Sequence, residues 1–180
     1  YIDIKGAFDN ATNGGIERMM TKKGCDPMII AWFLDFLKHR NITVTLKGHT
    51  VQFWPSKGTP QGGVASPWLW NIIAEEIHER IEQEDGVQSI GYADDTVLYM
   101  RSQDLELAIQ KMNDVALPIA ARWADEFGLE IAPDKTVAVI YTRKQDRKPD
   151  KNGKMRGTYD EPPPIVFLEK EIEWSDSHKH

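Results

Sequence analysis

The sequence predicts an α+β fold, an antiparallel sheet with helices packed on one face. Three observations carry this. β-prone runs come in adjacent pairs separated by turn residues. Between the pairs lie stretches whose apolar residues recur at steps of three or four. The order that results is β, α, α, ββ, α, ββ, α, β, with no internal repeat.

The run "YIDI" (1–4) is short and β-like. The stretch 8–24 mixes turn residues with a helix that closes at Gly24. Asp26 and Pro27 then read as N-cap and first helical position. The following helix carries apolar Ile29, Ile30, Phe33, Phe36 and Leu37. It ends in Lys38, His39 and Arg40, where cations are favoured. "NITVTLKGHTVQFW" alternates on both sides of "KGHT" and predicts a hairpin. "SKGTPQGGVAS" has too much Gly and Pro for a regular element and reads as a loop. Ser66 and Pro67 repeat the cap-plus-proline start. The helix they open runs to about Glu84 and puts Leu69, Ile72, Ile73, Ile77 and Ile81 on one stripe. Residues 87–100 predict a second hairpin around Ala93, Asp94 and Asp95. Residues 103–127 predict a long helix, kinked at Pro118 and stopped by Gly128. "KTVAVIYT" predicts a strand, residues 143–164 a loop or linker, and "IVFL" with "EIEW" a last small hairpin.

At 180 residues and 41% hydrophobic, the chain is long and apolar enough for one domain with a core. No run approaches the roughly 18 apolar residues of a membrane span. Residue 1 is not Met and already lies in a strand-like run, so the chain reads as a fragment of something longer. Cys25 is the only cysteine; no intrachain disulfide can form, which fits an intracellular protein. Cys25 itself reads as a small residue at a helix end. The net charge of −6 argues against a generic nucleic-acid binder. From Arg143 to Arg156, however, seven Lys or Arg face only two Asp. That run reads as a solvated linker or as a nucleic-acid contact.

The adjacent acids Asp94 and Asp95 stand out. Alone they read as a turn, in which Asp is common. Yet the flanking Tyr92, Val97, Leu98 and Tyr99 look buried, and the Gly that usually follows is absent. Carboxylates crowded against a sheet repel unless a positive charge sits beside them. A divalent cation does this well, and Mg²⁺ is usually held by one or two carboxylates plus phosphates. Asp3, in the other short strand, would bring a third carboxylate to the same sheet edge. Two-metal phosphoryl chemistry needs such an arrangement, because two ions clamp the attacking and leaving oxygens.

Four segments in order then resemble one family. "YIDIKGAFDN", "GTPQGGVASPWLWN", "GYADDTVLY" and "FGLEIAPDKTVAVIYTRK" resemble the first to fourth palm motifs of reverse transcriptases. The style is similar to retroelements without long terminal repeats, with group II intron enzymes as relatives. The resemblance covers about residues 1–142. It implies a polymerase palm that joins dNTPs to a DNA primer on an RNA template. The implied metals are two Mg²⁺, with Mn²⁺ as a substitute, held by Asp3, Asp94, Asp95 and the backbone of Ile4. It makes Phe8 the steric gate against a ribose 2′-hydroxyl. Gln61 and Gly62 become the nucleotide-pocket loop, Lys135 the lysine that serves the pyrophosphate, and Tyr92 and Ala93 the contacts to the primer end. Asp9 is read as structural and Ser66 as a helix cap.

On this resemblance the chain is a partial domain. Motifs fill 1–142, a basic linker 143–164, and 165–180 leads toward a primer grip. Fingers and thumb fall outside it, and the parent element's DNA synthesis is expected in the nucleus. A viral RNA-dependent RNA polymerase would carry Asp where Phe8 stands and Gly where Ala93 stands. A group II intron maturase is a closer alternative. A non-catalytic, decayed palm remnant that binds RNA is the alternative from another class.

Overall fold

The computed structural model describes residues 1–141, 147–149, 155–157 and 162–175. Helices α1 (Ala7–Asn10), α2 (Asn13–Lys22) and α3 (Pro27–Lys38) come first. The hairpin β1 (Ile42–Leu46) and β2 (His49–Phe53) follows, then α4 (Ser66–Glu82). The second hairpin is β3 (Val87–Tyr92) and β4 (Asp95–Met100). Next are α5 (Leu105–Lys111), a π-helical turn (Met112–Ala116) and α6 (Leu117–Phe127). The rest is short: β5 (Val137–Ala138), β6 (Arg147–Pro149), β7 (Met155–Gly157), β8 (Val166–Phe167), β9 (Lys170–Glu171) and β10 (Glu173–Trp174). The α+β class stands, built from small sheets. No described helix is long and apolar enough to cross a membrane.

The helix ends obey their local chemistry. The Thr12 hydroxyl accepts from Gly15 N and opens α2. The Asp26 carboxylate accepts from Met28 N and opens α3, with Pro27 at its start. Gly128 ends α6 at φ 65, a left-handed conformation that Gly adopts at no steric cost. The expected kink at Pro118 takes a specific form. The proline ring cannot accommodate a regular carbonyl four residues back, and the turn before it widens to π geometry.

Buried side chains of α2, α4 and α6 make the core. Ile16, Met19, Met20, Leu69, Trp70, Ile73, Ile77, Trp123 and Phe127 are all inaccessible or nearly so. Ion pairs close its rim. Glu76, largely buried on α4, takes Lys22 at 2.5 Å and Arg80 at 3.0 Å. Glu126 takes Arg80 at 2.7 Å and Arg18 at 3.2 Å.

The sheet is built around the N-terminal run. Ile2 bridges Thr96 of β4, and Ile4 bridges Ile131, both antiparallel. Tyr1 exchanges backbone hydrogen bonds with Val137 of β5. The spatial order is therefore β3, β4, residues 1–5, β5, β10.

Several expectations need correction. The sheet is not wholly antiparallel: β5 and β10 pair parallel, joined by a long connection. The hairpin of "IVFL" with "EIEW" forms only in part: Val166 pairs with Glu171 and Ile172 N donates to Ile165 O, while Glu173 and Trp174 cross to β5 as β10. The strand expected over 135–142 is regular only at Val137–Ala138. Part of the basic stretch read as linker pairs as the antiparallel β6–β7 ladder; its residues 143–146, 150–154 and 158–161 lie outside the described residues, as do 142 and 176–180. On α3, Ile29 and Phe36 are exposed, and Leu34 joins Ile30 and Leu37 inside. Ser66 does not cap α4. Ala65 holds that position, and the Ser66 hydroxyl donates to Pro60 O at 2.5 Å.

Candidate active site

The register of the N-terminal run positions two of the acids. Opposed residues in an antiparallel pair share a face, and neighbours alternate. Because Ile2 sits across from Thr96, Asp3 comes to stand across from Asp95. Ile2 and Thr96 point inward and are buried. Asp3, Asp95 and Tyr92, which pairs with Asp95, belong to the opposite, open face. Like charges directly opposed weaken a strand pair. A counter-charge stands nearby: Lys135 Nζ lies 4.0 Å from the Asp3 carboxylate. Lys135 is mostly exposed, so screening makes that attraction modest. Behind Asp3, buried Thr136 accepts from Asp3 N at 3.5 Å and donates to Ala132 O at 3.0 Å.

Asp94 has a different setting from Asp95. The hairpin closes with a two-residue turn, Ala93 and Asp94, while Asp95 is already the first residue of β4. Ala93 has φ 53, and Asp94 is not among the positive-φ residues. That is the sign pattern of a II′ hairpin, whose first central position normally takes Gly. The strained Ala93 is held from below. Trp70 Nε1 donates to Ala93 O at 2.7 Å.

Trp70 also meets the third element of the site. Its ring lies 5.9 Å from that of Phe8, tilted by 43°. Phe8 is partly buried, and its carbonyl accepts from Thr59 N at 2.7 Å. The loop 56–63 thus lies along the Phe8 segment. Gln61 Nε2 donates to the Asp9 carboxylate, 3.3 Å from each oxygen. Gly62, at φ 77, has open space where a side chain would project.

The backbone supplies one more donor in the right direction. Lys5 N bonds Glu130 O and Ala132 N bonds Asp3 O, so residues 3 and 5 turn their polar groups toward 130–132. Strand alternation turns the Ile4 carbonyl to the other edge, toward β4 and its turn. The donor set is therefore carboxylate and carbonyl oxygen, with no thiol or imidazole, which fits a hard divalent cation. Among the described residues, no three His, Cys, Asp or Glu side chains converge closely enough to hold a metal ion. The chemistry fits, and the carboxylates are not gathered into one coordination sphere.

The structure places Asp3 across from Asp95 with Lys135 near Asp3, sets Phe8 and the Ala93 turn around Trp70, and ties Gln61 to Asp9, next to Phe8. Sequence reasoning missed Trp70, whose signal was present: a Trp needs a partner for its indole N–H when buried. It treated Asp9 as structural without foreseeing its bond to Gln61. It missed Thr136, a hydroxyl next to Lys135 for which no pattern speaks.

The model of the family described as reverse transcriptase (RNA-dependent DNA polymerase) matches residues 1–170. The chain is 25% identical over 140 residues to the putative 115 kDa protein in type-1 retrotransposable element R1DM of Drosophila melanogaster. That match covers 78% of this chain and 13% of the relative. It is 26% identical over 83 residues to a retrovirus-related Pol polyprotein from element R1 of Nasonia vitripennis, covering 46% and 24%. It is 24% identical over 148 residues to the corresponding R2 polyprotein of Popillia japonica, covering 77% and 23%. The chain thus spans less than a quarter of the length of these relatives. The R1 and R2 matches agree with the type lacking long terminal repeats. With 170 of its 180 residues matched by the family model, this chain belongs to the reverse transcriptase family.

Proposed function

We propose that the protein carrying this chain is an RNA-directed DNA polymerase of a retrotransposon without long terminal repeats. This chain would be its palm: motifs over 1–142, with 165–180 leading toward a primer grip. The reading rests on one observation above the others: Asp3 stands across from Asp95 on an open sheet face, one residue from Asp94 in the turn. RNA template, DNA primer and dNTPs are its proposed partners, and the nucleus its place of DNA synthesis.

Asp3, Asp94, Asp95 and the Ile4 carbonyl would hold two Mg²⁺, with Mn²⁺ as a substitute. When bound, such ions polarise the nucleotide phosphate and favour the ionised primer hydroxyl. The rest falls to the chain's own residues. Lys135 would carry positive charge, and a proton, to the departing pyrophosphate. Gln61 and the unobstructed backbone at Gly62 would flank the nucleotide. Phe8, backed by Trp70, would stand where a ribose 2′-hydroxyl would clash. Tyr92 and Ala93 would meet the primer end.

The test is primer extension on an RNA template by the natural protein. Asp94→Asn, which keeps size and loses charge, should lower the rate by about a hundredfold or more. Extension at the wild-type rate in that variant would remove the site assignment.

A further inference from the structure

Arg40 falls at the end of α3, where a basic residue is accounted for by the helix dipole alone. Its contacts go further. Arg40 Nε donates to Leu37 O at 3.0 Å, satisfying a carbonyl that the helix end leaves open. Its terminal nitrogen donates to Lys57 O at 3.0 Å and Gly58 O at 2.7 Å. One planar guanidinium thus joins α3 to the loop that leads to Gln61 and Gly62. A lysine, with a single point of charge, cannot span these carbonyls with the same fixed geometry.

The other side of that loop segment is tied as well. Gly58 N donates to Ala11 O at 2.7 Å, and Thr59 N to Phe8 O at 2.7 Å. Gly58 and Thr59 are buried, so these backbone groups have no ready exchange with water. The fit is tight: at φ +85, a Cβ on Gly58 would lie 2.5 Å from Asp9 O. Residues 57–59 are clamped between Arg40 outside and the Phe8 segment inside.

We infer that Arg40 is a positioning residue that sets the distance between the Phe8 ring and the loop carrying Gln61 and Gly62. It touches no nucleotide. A nucleotide would be read between that loop and that ring, so Arg40 controls how firmly the sugar is held against Phe8. This rests on the polymerase reading proposed above. Loss of Arg40 leaves the Lys57 and Gly58 carbonyls without their donor and lets the loop move outward. Nucleotide binding and discrimination against ribonucleotides weaken together, while the carboxylate site keeps its geometry.

The test uses the natural protein with four chains compared: wild type, Arg40→Met, Arg40→Lys and Gly58→Ala. Arg40→Met should raise KM for dNTP about tenfold and reduce dNTP over rNTP preference several-fold, with kcat changed less than about threefold. Arg40→Lys should fall between. Gly58→Ala pushes the same segment from the opposite side and should give the same KM-dominated effect. Combined with Arg40→Met, it should add much less than the product of the two. Hydrogen exchange at the Gly58 and Thr59 amides should accelerate in Arg40→Met. Unchanged KM and preference, or a fall in kcat and melting temperature with no KM change, would overturn the proposal. If wild type extends no primer, the polymerase reading fails and takes this inference with it. If wild type extends and Arg40→Met matches it, only this inference fails.

Discussion

The two longer hairpins have the same strand direction and similar length, yet they are held by opposite means. In β1–β2 the turn is Lys47-Gly48, at φ 50 and φ 81. That is the sign pattern of a I′ turn, which suits the twist of paired strands. Both strands are exposed along their whole length, and a Thr45–Thr50 hydroxyl pair at 3.0 Å adds to the ladder from within the hairpin. Ile42, Val44, Leu46, Val51 and Phe53 share one uncovered face, with Leu46 70% exposed and Val51 63%. In β3–β4 the turn is chemically poor, with Ala93 in a Gly position. Support comes from α4 instead. Trp70 grips the Ala93 carbonyl, and His78 meets Ser89 at 2.8 Å beneath a Gly91 that leaves it room. The first hairpin is consistent locally and unsupported globally; the second is the reverse. At Ala93 a turn that local chemistry disfavours is enforced by tertiary contacts from α4.

The strongest way to break this contrast is to remove Trp70. Trp70→Ala empties a fully buried site and should cost roughly 3–5 kcal/mol in denaturant unfolding. Trp70→Phe keeps most of the apolar volume but drops the indole donor, and should cost about 1–3 kcal/mol. In Trp70→Phe, amide exchange should rise around Ala93 to Thr96 and stay unchanged in β1–β2. Equal acceleration in both hairpins would show that they do not differ in their dependence on α4.

Swapping turn chemistry is the next largest perturbation, and its two arms have opposite signs. Gly48→Ala places a Cβ at φ 81 and should weaken the β1–β2 ladder by about 1 kcal/mol. Ala93→Gly relieves the same strain but frees the unfolded chain, so it should stabilise β3–β4 by no more than about 1 kcal/mol. Local exchange in the two ladders measures both. Two changes of equal sign would mean that Ala93 is not strained by its φ 53.

These contrasts also explain what was readable in the sequence. Asp26-Pro27 and Gly128 act within one turn of the chain, so their roles could be read residue by residue. Both hairpins were legible because alternation and turn residues are local. Ser66 was misread because Ser before Pro looks like a cap, whereas its hydroxyl answers to Pro60, a contact set by how the loop folds back. The inward face of α3 was not legible because that helix is hydrophobic nearly all round, so periodicity could not say that Ile29 and Phe36 face out. The pairing of β10 with β5 has no local signal at all. In the site, the acids were legible as residue types in motifs. Their register was not, since only the Ile2–Thr96 bridge decides that Asp3 stands across from Asp95. Trp70 and Arg40 escaped because a pattern counts them as one apolar and one basic position, while what matters is which distant carbonyls their N–H groups reach.

The smallest effect separates the hairpins by pH. Arg80 hydrogen-bonded to Glu126 holds that carboxyl at about 2, against some opposing desolvation and with help from Arg18. Glu76 is also lowered: burial pushes it up, but Lys22 and Arg80 outweigh that. Carboxyls depressed in the fold stabilise it above their unfolded value, and the contribution disappears as pH falls through the folded one. For Glu126 that window runs from its reference value of 4.5 down to about 2. Burial lowers His78, countered by Glu82 and Glu75, so its contribution is lost in the same direction, starting below 6.5. Every one of these groups braces α4 or sits on it, and none touches β1–β2. Acidification should therefore raise amide exchange in β3–β4 first, in two steps, while the β1–β2 ladder follows only the intrinsic chemical rate. Arg80→Met should flatten the lower step and leave the upper one. The effect is modest because Glu126 is 42% exposed and its pairing is screened. A lower step that survives in Arg80→Met would assign it to other carboxylates and detach the ion pairs from the support of the hairpin.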